Sequence, residues 1–579
     1  MMSRHDDNPC RPRHFKPAPC APAALEGPAQ QSLETSHTRL LVTAALFCLA
    51  FLLIALRLVE VTAIKSEAYA ARSPVPTQPL VSRADIVDRN GVLLATTLST
   101  PSLYANPKLV KDPAAVARRL VGVLPDLVES EVEAKLASDK SFVWIKRQLT
   151  PHQELAVNRL GVPGLQFEPE ERRFYPEGSL AAHIVGYTGI DNRGLGGIER
   201  GFDDILRDRR DAVALSIDAR VQYILRDEIA RQIADFNASG GMGVIMDVNT
   251  GEVLAMVSLP DFDPNNAGSA TPETVFNRAT LGIYEMGSTF KIFNTAMALE
   301  ARTATLASSY DATKPLHVGR FTIHDDHPQN RWLNVAEIFQ YSSNIGAARM
   351  AVEAGTDRQR DFLGRLGLLR APGFELPEIG APLVPSPWRD VNTMTVAFGH
   401  GISVSPLQMA IAVSAVVNGG VLHPATLIKR APEYAPPGRQ VLSARTSDDM
   451  RRLLRLVVEH GTGKLAIAPG YLLGGKTGTA EKVNGARYDK KGLLSSFIGV
   501  FPITEPRYLV MISIDEPHPN KASSGFATGG WAAAPGVGRV VQRMAPLMGI
   551  PPVDEDSPEI RRSLMVDSAR PQGPSFAAN

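Results

Sequence analysis

The sequence predicts an α+β protein whose main domain is an antiparallel sheet flanked by helices. Two apolar, strand-like runs surround Asn249-Thr250-Gly251, and long helix-like stretches follow them. Strand-like runs then return at YLLGGKTGTAEK (471–482), LLSSFIGVFP (493–502) and RYLVMISIDE (507–516). A hairpin, a helical block and returning strands are typical of a sheet with helices packed on it. Short β-like runs before residue 211, with a hairpin expected at Asn90-Gly91, predict a separate mixed α/β module.

Composition divides the chain into five segments. Residues 1–38 are rich in Pro, Ala and charge and predict a disordered tail. Residues 39–60 contain an apolar run, and residues beyond 551 are polar and predict a loose end. The predicted segments are a tail (1–38), an anchor (39–60), the mixed α/β module (61–211), the sheet-and-helix domain (212–550) and a C-terminal tail (551–579).

The apolar run Leu40 to Leu56 predicts one transmembrane helix. Its length is at the short end of what crosses a bilayer, and Arg57 can extend its charge to the interface. A cleaved signal peptide is the alternative, because Ala68-Tyr69-Ala70 resembles a cleavage site. That site lies too far downstream, behind several charged residues, so an uncleaved anchor is expected. Basic residues before the run weakly favour a cytoplasmic N-terminus.

Charge and residue usage exclude several functional classes. The net charge is +1 and there is no strongly basic domain, so we expect no nucleic-acid partner. The three cysteines, Cys10, Cys20 and Cys48, all precede the end of the apolar run, which excludes a cysteine nucleophile in the later domains. The twelve histidines are scattered, and His400 and His460 are interpreted as structural or surface residues. No metal and no cofactor is expected.

Ser288 and Lys291 are the first candidate catalytic residues. In YEMGSTFKIF they lie three positions apart, so a helix would place them on one face. Serine needs a base within hydrogen-bonding distance, and lysine can be that base only when it is neutral. Burial and a second nearby cation would both lower its pKa. This spacing is common by chance, so a capping serine beside a solvated lysine remains the alternative for this pair alone.

Two further segments add candidates. Ser342 and Asn344 stand in FQYSSNIGAARM, in a polar break between helix-like stretches. Lys476-Thr477-Gly478-Thr479 follows an apolar run that predicts an edge strand. Lys476 would be the second cation, and Gly478 would let a substrate backbone lie close to the strand. Each segment alone also fits an ordinary turn or strand end, but together with the Ser288 pair they form the motif set of penicillin-binding proteins and class A β-lactamases.

With these motifs, the sequence resembles the class B penicillin-binding proteins, and most closely their division-specific septal peptidoglycan transpeptidases. The resemblance extends to about residue 548. Further matching segments are RADIVDRNGVLLA (83–95), RRFYPEGSLAAHIVGYTGIDNRGLGGIERGFD (172–203), LSIDARVQ (215–222), DVNTGEVLAMVSLPDFDPNN (247–266) and AFGHGISVSPLQ (397–408). The resemblance implies the penicillin-binding transpeptidase fold, with residues 61–211 forming an elongated pedestal like the dimerisation domain of that family.

The resemblance also implies roles for the candidate residues. Ser288 would attack a stem-peptide carbonyl to form an acyl-enzyme, and Lys291 would take its proton. Ser342 and Asn344 would relay protons and hold the donor peptide, and Lys476 would keep Lys291 neutral. Thr477, Gly478 and Thr479 would bind the substrate carboxylate and backbone. The acyl-enzyme would pass to the amine of a second stem peptide.

The implied partners are peptidoglycan stem peptides, β-lactams, the membrane, a membrane-embedded glycan polymerase and other division proteins. The implied location is the bacterial inner membrane at the septum, with a periplasmic catalytic domain. Alternatives are a β-lactamase or D,D-carboxypeptidase, an elongation-specific transpeptidase, and a β-lactam-binding sensor or scaffold without turnover. The anchor and pedestal argue against a compact hydrolase, and the short tail leaves no room for a signalling domain.

Overall fold

A computed structural model describes residues 28–59, 83–209, 211–319, 321–431, 437–484 and 487–566. Residues 1–80 and 81–579 form two compact units, and each is described by itself. The first unit contains one described element, helix α1 (Pro28–Val59). All the remaining helices and strands belong to the second unit.

Helix α1 is long and apolar enough to cross a membrane over Leu41–Val59, where the mean hydropathy is 2.5. Nineteen residues of helix extend about 28 Å, close to the thickness of a bilayer core. The expectation of a disordered tail up to residue 38 is wrong for residues 28–38, because the helix begins at Pro28. Proline suits the first helical position, and the Gln and Glu residues that follow are good helix formers. Residues 1–27 and Ala68-Tyr69-Ala70 lie outside the described residues.

The first part of the second unit is a small mixed sheet with helices. The strands are β1 (Ile86–Val87), β2 (Leu93–Ala105), β3 (Val143–Lys146), β4 (Leu165–Phe174) and β5 (Val213–Ala214). Strand β1 pairs with β2 in an antiparallel hairpin through Asn90-Gly91, as predicted, and with β5 in a parallel pair. Strands β3 and β4 both pair with β2. The helices are α2 (Pro113–Val123), α3 (Glu129–Leu136), α4 (Pro151–Asn158), α5 (Ala182–Val185), α6 (Gly197–Gly201) and α7 (Asp203–Asp208).

A buried ion cluster ties this module together. The carboxylate of Glu199 is fully buried, with Oε2 2.5 Å from Nε of Arg83 and Oε1 2.6 Å from Nε of Arg173. Arg83 also contacts Asp203, with 2.7 Å between Nη1 and Oδ1. These residues come from β4, from helices α6 and α7 and from the start of the module, so the cluster joins segments far apart in the chain. A buried charge must be paired and hydrogen-bonded, and here every partner is supplied by the module itself.

The main domain contains the predicted antiparallel sheet. The strands are β6 (Gly240–Asp247), β7 (Val253–Leu259), β14 (Gly474–Asn484), β15 (Arg487–Phe501) and β16 (Tyr508–Asp515). Their order in the sheet is β14-β15-β16-β6-β7, so β14, which carries the Lys476-Thr477-Gly478-Thr479 motif, is an edge strand as expected. The hairpin through Asn249-Thr250-Gly251 joins β6 to β7, also as expected.

Helices cover both faces of this sheet. Alternating residues of one strand enter different cores: Val244 of β6 lies in one hydrophobic cluster and its neighbour Ile245 in another. Helices α8 (Ala219–Asp235) and α18 (Ala534–Leu547) pack on the Ile245 face, while α10 (Lys291–Glu300) and α15 (Pro406–Val417) pack on the Val244 face. Successive side chains of a strand point to opposite faces of the sheet. Because helices cover both faces here, the residues on both faces are apolar.

The other elements surround this core. Helices are α9 (Pro272–Val275), α11 (Val335–Tyr341), α12 (Asn344–Ala354), α13 (Thr356–Arg365), α14 (Asp390–Val396), α16 (Ala444–His460), α17 (Gly529–Ala532) and α19 (Pro558–Leu564). Short strands are β8 (Ser309–Asp311), β9 (Leu316–Val318), β10 (Phe321–Ile323), β11 (Trp332–Asn334), β12 (Val421–Leu422) and β13 (Arg439–Gln440).

The expectation of a loose C-terminus from residue 551 is wrong for its first part. Helix α19 packs Ile560 and Leu564 against the main hydrophobic cluster. Just before it, Oε2 of Glu555 lies 2.7 Å from Nη2 of Arg455, which is on α16. The polar composition of the segment hid these few apolar anchors. Residues 567–579 lie outside the described residues.

Candidate active site

Ser288 lies in a tight 3-10 turn, Gly287–Phe290, that leads directly into helix α10 at Lys291. Sequence reasoning expected a helix here, and the tighter turn keeps the two residues on the same side. Gly287 has a φ of +53°, and a Cβ on it would lie 2.4 Å from the carbonyl oxygen of Thr479. Only glycine therefore allows the turn to pack so closely against strand β14.

Lys291 is buried, with 1% of its surface exposed, and its Nζ is surrounded by oxygen atoms. Nζ lies 2.8 Å from Oγ of Ser288 and 3.1 Å from Oγ of Ser342. Nζ also donates to the carbonyl oxygen of Ser342 at 2.7 Å and to Oδ1 of Asn344 at 2.6 Å. The structure thus brings together the first two predicted motifs, which are more than fifty residues apart in the chain.

These contacts orient the amine. The carbonyl oxygen of Ser342 and Oδ1 of Asn344 can only accept hydrogen bonds, so they take the two N–H groups of a neutral Lys291. The nitrogen lone pair then faces the hydroxyls, and Oγ of Ser288 is the nearer one. A neutral Lys291 is therefore positioned to accept the Ser288 proton.

The electrostatics favour this neutral form. Burial lowers the pKa of Lys291 to about 7, against an opposing effect of the carboxylates of Asp326 and Asp325. Burial, and then the charge of Lys291, hold the pKa of Lys476 well below its usual value. Two buried ammonium groups beside one hydroxyl repel each other, so the pair titrates as a coupled unit. A lowered pKa favours the neutral form of Lys476 as well. The positive charge expected on Lys476 from the sequence therefore stays a prediction.

Ser342 and Asn344 reach Lys291 because of the break between helices α11 and α12. Ser342 ends α11 in the left-handed conformation, with a φ of +60° and a ψ of +42°. This conformation is unusual for a residue with a side chain. Asn344 is the first residue of α12, and Ser343 caps that helix by accepting from the backbone N–H of Gly346 at 3.0 Å. The predicted polar break is therefore a tight corner that turns two oxygen atoms of Ser342 towards Lys291.

The third motif adds Lys476 and two threonines. Nζ of Lys476 is completely buried and donates to Oγ of Ser342 at 2.9 Å, so Ser342 lies between the two lysines. Oγ1 of Thr477 is 2.7 Å from Oγ1 of Thr462, which sequence reasoning did not single out. Oγ1 of Thr479 accepts from the backbone N–H of Gly529 at 3.1 Å. All three motifs therefore meet at one place.

Gly478 also meets a constraint that the sequence did not indicate, while the predicted close approach of a substrate backbone stays a prediction. A Cβ on Gly478 would lie 2.6 Å from the carbonyl oxygen of Met286 and 2.9 Å from Cγ2 of Thr289. The close approach is thus to the chain's own turn around Ser288. The glycine sets the distance between the edge strand and the serine.

A carboxylate that the sequence did not indicate lies behind the second motif. Asp325 accepts from the hydroxyl of Ser343 at 2.7 Å and from the backbone N–H of Ile345 at 2.9 Å. The neighbouring carbonyl of His324 accepts from Nδ2 of Asn344 at 2.9 Å. The segment following β10 therefore fixes the orientation of Asn344. The pair Asp325-Asp326 in the sequence was a weak indication, because acidic pairs are common on surfaces.

No group of residues that could hold a metal ion occurs among the described residues. The site chemistry is that of an amine, hydroxyls and an amide around one serine.

Two family models match the chain. The model described as the penicillin-binding protein transpeptidase domain matches residues 241–534, and the model of the penicillin-binding protein dimerisation domain matches residues 79–234. The first match contains all the candidate site residues from Ser288 to Thr479. The second covers the small mixed sheet and the Glu199 cluster.

Named relatives and solved structures agree with these matches. A probable peptidoglycan D,D-transpeptidase FtsI of Caulobacter vibrioides is 42% identical over 81% of this chain and 82% of its own length. The peptidoglycan D,D-transpeptidase FtsI of Escherichia coli K12 is 30% identical over 82% of this chain and 85% of its own. A crystal structure of penicillin-binding protein 3 from Mycobacterium tuberculosis, complexed with aztreonam, aligns with a TM-score of 0.65 and 26% identity, covering 82% of this chain and 97% of that one. This chain belongs to the class B penicillin-binding proteins and is a peptidoglycan D,D-transpeptidase of that family.

Proposed function

We propose that the protein crosslinks septal peptidoglycan through an acyl-enzyme formed on Ser288. Oγ of Ser288 attacks the carbonyl carbon of the penultimate D-Ala of a stem pentapeptide. The bond to the terminal D-Ala breaks, this residue leaves with the proton lost by the serine, and an ester to Ser288 remains. The amine of a second stem peptide then attacks the ester, forming the crosslink and returning the proton to Ser288.

Lys291 is the base in this proposal. Its Nζ is 2.8 Å from Oγ of Ser288, and burial lowers its pKa to about 7, so that about half of the amine is already neutral at that pH. Ser342 relays protons between Lys291 and Lys476, since its hydroxyl contacts both amines. A bound substrate carboxylate beside Lys476 would raise the pKa of that lysine, and the resulting cation would then keep Lys291 neutral.

The substrate lies along the edge strand β14. Its terminal carboxylate is bound by Thr477 and Thr479, and its backbone extends the sheet by one strand. Asn344 holds the donor peptide. The backbone N–H groups of Ser288 and Thr479 donate hydrogen bonds to the carbonyl oxygen as negative charge develops on it. This stabilisation is usually the largest contribution to such catalysis. β-Lactams enter the same site and acylate Ser288.

The observation that carries this proposal is the contact between Nζ of the buried Lys291 and Oγ of Ser288. It can be tested with the purified protein, a thioester donor that mimics the D-Ala-D-Ala end, and a D-amino acid acceptor. We expect a new amide product whose yield rises with acceptor concentration. This product should be absent in Ser288→Ala and in Lys291→Ala. Thr313→Ala, in the same domain but at a partly buried loop position, is a control that keeps the product.

This experiment and labelling with a fluorescent penicillin together separate the alternatives. A product that is only the free acid, whatever the acceptor concentration, would favour a D,D-carboxypeptidase. Fast release of a fluorescent penicillin would favour a β-lactamase. Stable labelling by that penicillin without any product from the thioester would favour a sensor or scaffold. Product formation that persists in Ser288→Ala would remove the nucleophile assignment.

The septal role is supported by the segment GLGGIERGFD (194–203) and by the FtsI names of relatives such as the one that is 42% identical. In this role a glycan polymerase in the membrane and other division proteins bind the anchor and the pedestal. We expect a fluorescent fusion to collect at midcell before constriction, and Ser288→Ala replacement to block constriction while cells lengthen. Cells that become round, with the fusion along the side wall, would indicate the elongation role.

The proposed topology is a single uncleaved span in the inner membrane. The N-terminal tail is cytoplasmic, and the pedestal (61–211) and the transpeptidase domain (212–550) are periplasmic. Helix α1 supports the span by its length and apolar character. We expect a reporter fused near residue 30 to be found on the cytoplasmic side of the membrane and one fused after Asn579 on the periplasmic side. A mature N-terminus at Ala71 would contradict the anchor.

A further inference from the structure

A turn formed by Gly399, His400 and Gly401 lies directly against the residue that precedes the nucleophile. The turn follows helix α14, and both glycines have positive φ values, +81° at Gly399 and +76° at Gly401. A Cβ on Gly399 would lie 2.2 Å from the carbonyl oxygen of Gly287. The backbones of Gly399 and Gly287 are therefore in contact, next to Ser288.

The carboxylate of Glu285 holds this turn in place. Its Oε1 accepts a hydrogen bond from the backbone N–H of Gly401 at 2.9 Å. Its Oε2 lies 3.0 Å from Nδ1 of His400. The Glu285 side chain is 10% exposed and that of His400 is 34% exposed, so the pair is partly shielded from water. We call these contacts of Glu285 with His400 and Gly401 the Glu285 clamp.

The clamp is joined to the strand on the other side of Gly287. A Cβ on Gly287 would lie 2.4 Å from the carbonyl oxygen of Thr479, so Gly287 is held between the turn and β14. The two backbone N–H groups that the proposed mechanism uses, those of Ser288 and Thr479, lie on either side of this contact. Any movement of the turn away from Gly287 would release one side of that packing.

We propose that Glu285 and His400 are positioning residues that fix the backbone around Ser288 for stabilisation of the oxyanion. Neither residue touches the reacting atoms in this proposal. It rests on the proposed acyl-enzyme mechanism and adds to it two residues outside the three motifs. His400, interpreted from sequence as a structural or surface residue, thereby acts on the reaction through Glu285.

Charges around His400 make the clamp sensitive to pH. Burial lowers the pKa of His400, but its hydrogen bond to Glu285 and the charges of Glu285 and of Glu481 on β14 outweigh this effect, so its pKa is raised. The protonated ring, with its charge-assisted bond to Glu285, is therefore favoured below this raised pKa. As pH rises through it, the charge is lost, the bond weakens and acylation is expected to slow.

Acylation by a fluorescent penicillin tests the proposal. The experiment measures the rate constant of the covalent reaction separately from the affinity of the initial non-covalent complex. For His400→Ala we expect an acylation rate constant about tenfold lower at neutral pH, with the initial affinity changed less than about twofold, because only transition-state stabilisation is weakened. His400→Asn, which can place an N–H near the Nδ1 position, should stay within about threefold of the parent protein and lack the alkaline fall. The exposed His152→Ala in the pedestal is the matched control.

Two further measurements complete the test. Once Glu285→Gln has weakened the clamp, adding His400→Ala should cause little additional loss. Amide hydrogen exchange over residues 284–290 should be faster in His400→Ala than in His152→Ala. Hydrogen exchange does not depend on catalysis, so it tests the Glu285 clamp even if the parent protein is not acylated. A parent protein that is not acylated would instead overturn the proposed acyl-enzyme mechanism. Unchanged exchange, or a His400→Ala variant with the rate and pH profile of the parent, would overturn the positioning role.

Discussion

The hydroxyl oxygen of Ser342 accepts a hydrogen bond of 2.9 Å from Nζ of Lys476. The same oxygen lies 3.1 Å from Nζ of Lys291, so one serine contacts both buried amines. This geometry depends on the left-handed backbone of Ser342, which ends helix α11 and turns its oxygen atoms towards the site. A locally unfavourable conformation is thus maintained where it connects two candidate catalytic groups.

Replacing Ser342 by Gly and by Ala separates the backbone effect from the hydroxyl effect. Both variants lose the bridge between the lysines, so both should acylate at least about tenfold more slowly. Gly adopts the left-handed conformation without strain, so the free energy of unfolding of Ser342→Gly should exceed that of Ser342→Ala by roughly 0.5 to 1 kcal/mol. Penicillin acylation and denaturant unfolding measure the two effects. Equal stabilities, or a parental rate in either variant, would contradict this account of Ser342.

Gly478→Ala should disable the site without unfolding the domain. The new Cβ would lie 2.6 Å from the carbonyl oxygen of Met286, which cannot move without shifting the turn that carries Ser288. A displacement of about 1 Å at a catalytic group typically slows a reaction about a hundredfold. We therefore expect a much lower acylation rate in Gly478→Ala, while its thermal unfolding remains close to that of the parent protein.

Gly373→Ala is the matched control for this prediction, because no atom lies within 4 Å of the position its Cβ would take. Its acylation rate should equal that of the parent. If Gly478→Ala acylates as fast as Gly373→Ala, the packing of β14 against the turn does not control the position of Ser288.

The rate of acylation should rise with pH across the pKa of Lys291. This pKa is lowered to about 7, so below that pH the base is protonated and the rate should fall about tenfold per pH unit. Above it the contribution of Lys291 should level off. The loss of rate expected from deprotonation of His400 is superimposed on this profile, so the His400→Asn variant, which lacks that loss, shows the contribution of Lys291 alone. Because Lys291 binds its proton less tightly in the folded than in the unfolded protein, its contribution to stability should increase with pH between about 7 and 10.5. Acylation rates in a series of buffers give the profile, and a rate that does not change across pH 7 would contradict the assignment of the base.

Glu199→Gln should destabilise the small mixed sheet. The substitution keeps the shape of the side chain but removes the buried charge that pairs with Arg83 and Arg173. Breaking a buried pair in this way costs about 3–5 kcal/mol, because uncompensated charges remain inside. The exposed Glu133→Gln on α3 should change stability by less than about 0.5 kcal/mol. Thermal unfolding compares the two, and equal shifts would mean that the Glu199 cluster does not stabilise the fold.

The sheet of the main domain was predictable because its strands are short apolar runs separated by turn residues. Such local patterns identified the hairpins at Asn90-Gly91 and Asn249-Thr250-Gly251 and the edge strand with Lys476. They did not identify helix α19, where Ile560 and Leu564 anchor a polar segment through contacts with residues far away in the chain.

The candidate site was predictable only as far as its motifs. The three motifs together indicated Ser288, Lys291 and Lys476, but no local pattern indicates that Asp325 accepts from Ser343 or that Glu285 contacts His400. Both contacts are made by segments that the tertiary fold brings together. The reason for Gly478 was also hidden, because the atoms that exclude a side chain there belong to Met286 and Thr289.

Intact-protein mass spectrometry after exposure to benzylpenicillin tests the central claim most directly. The account predicts one added penicilloyl group that peptide mapping places on Ser288. The adduct should be absent in Ser288→Ala and should form much more slowly in Lys291→Ala than in the control Thr313→Ala. An adduct on another residue, or one that forms in Ser288→Ala, would contradict the claim that Ser288 is the nucleophile activated by Lys291.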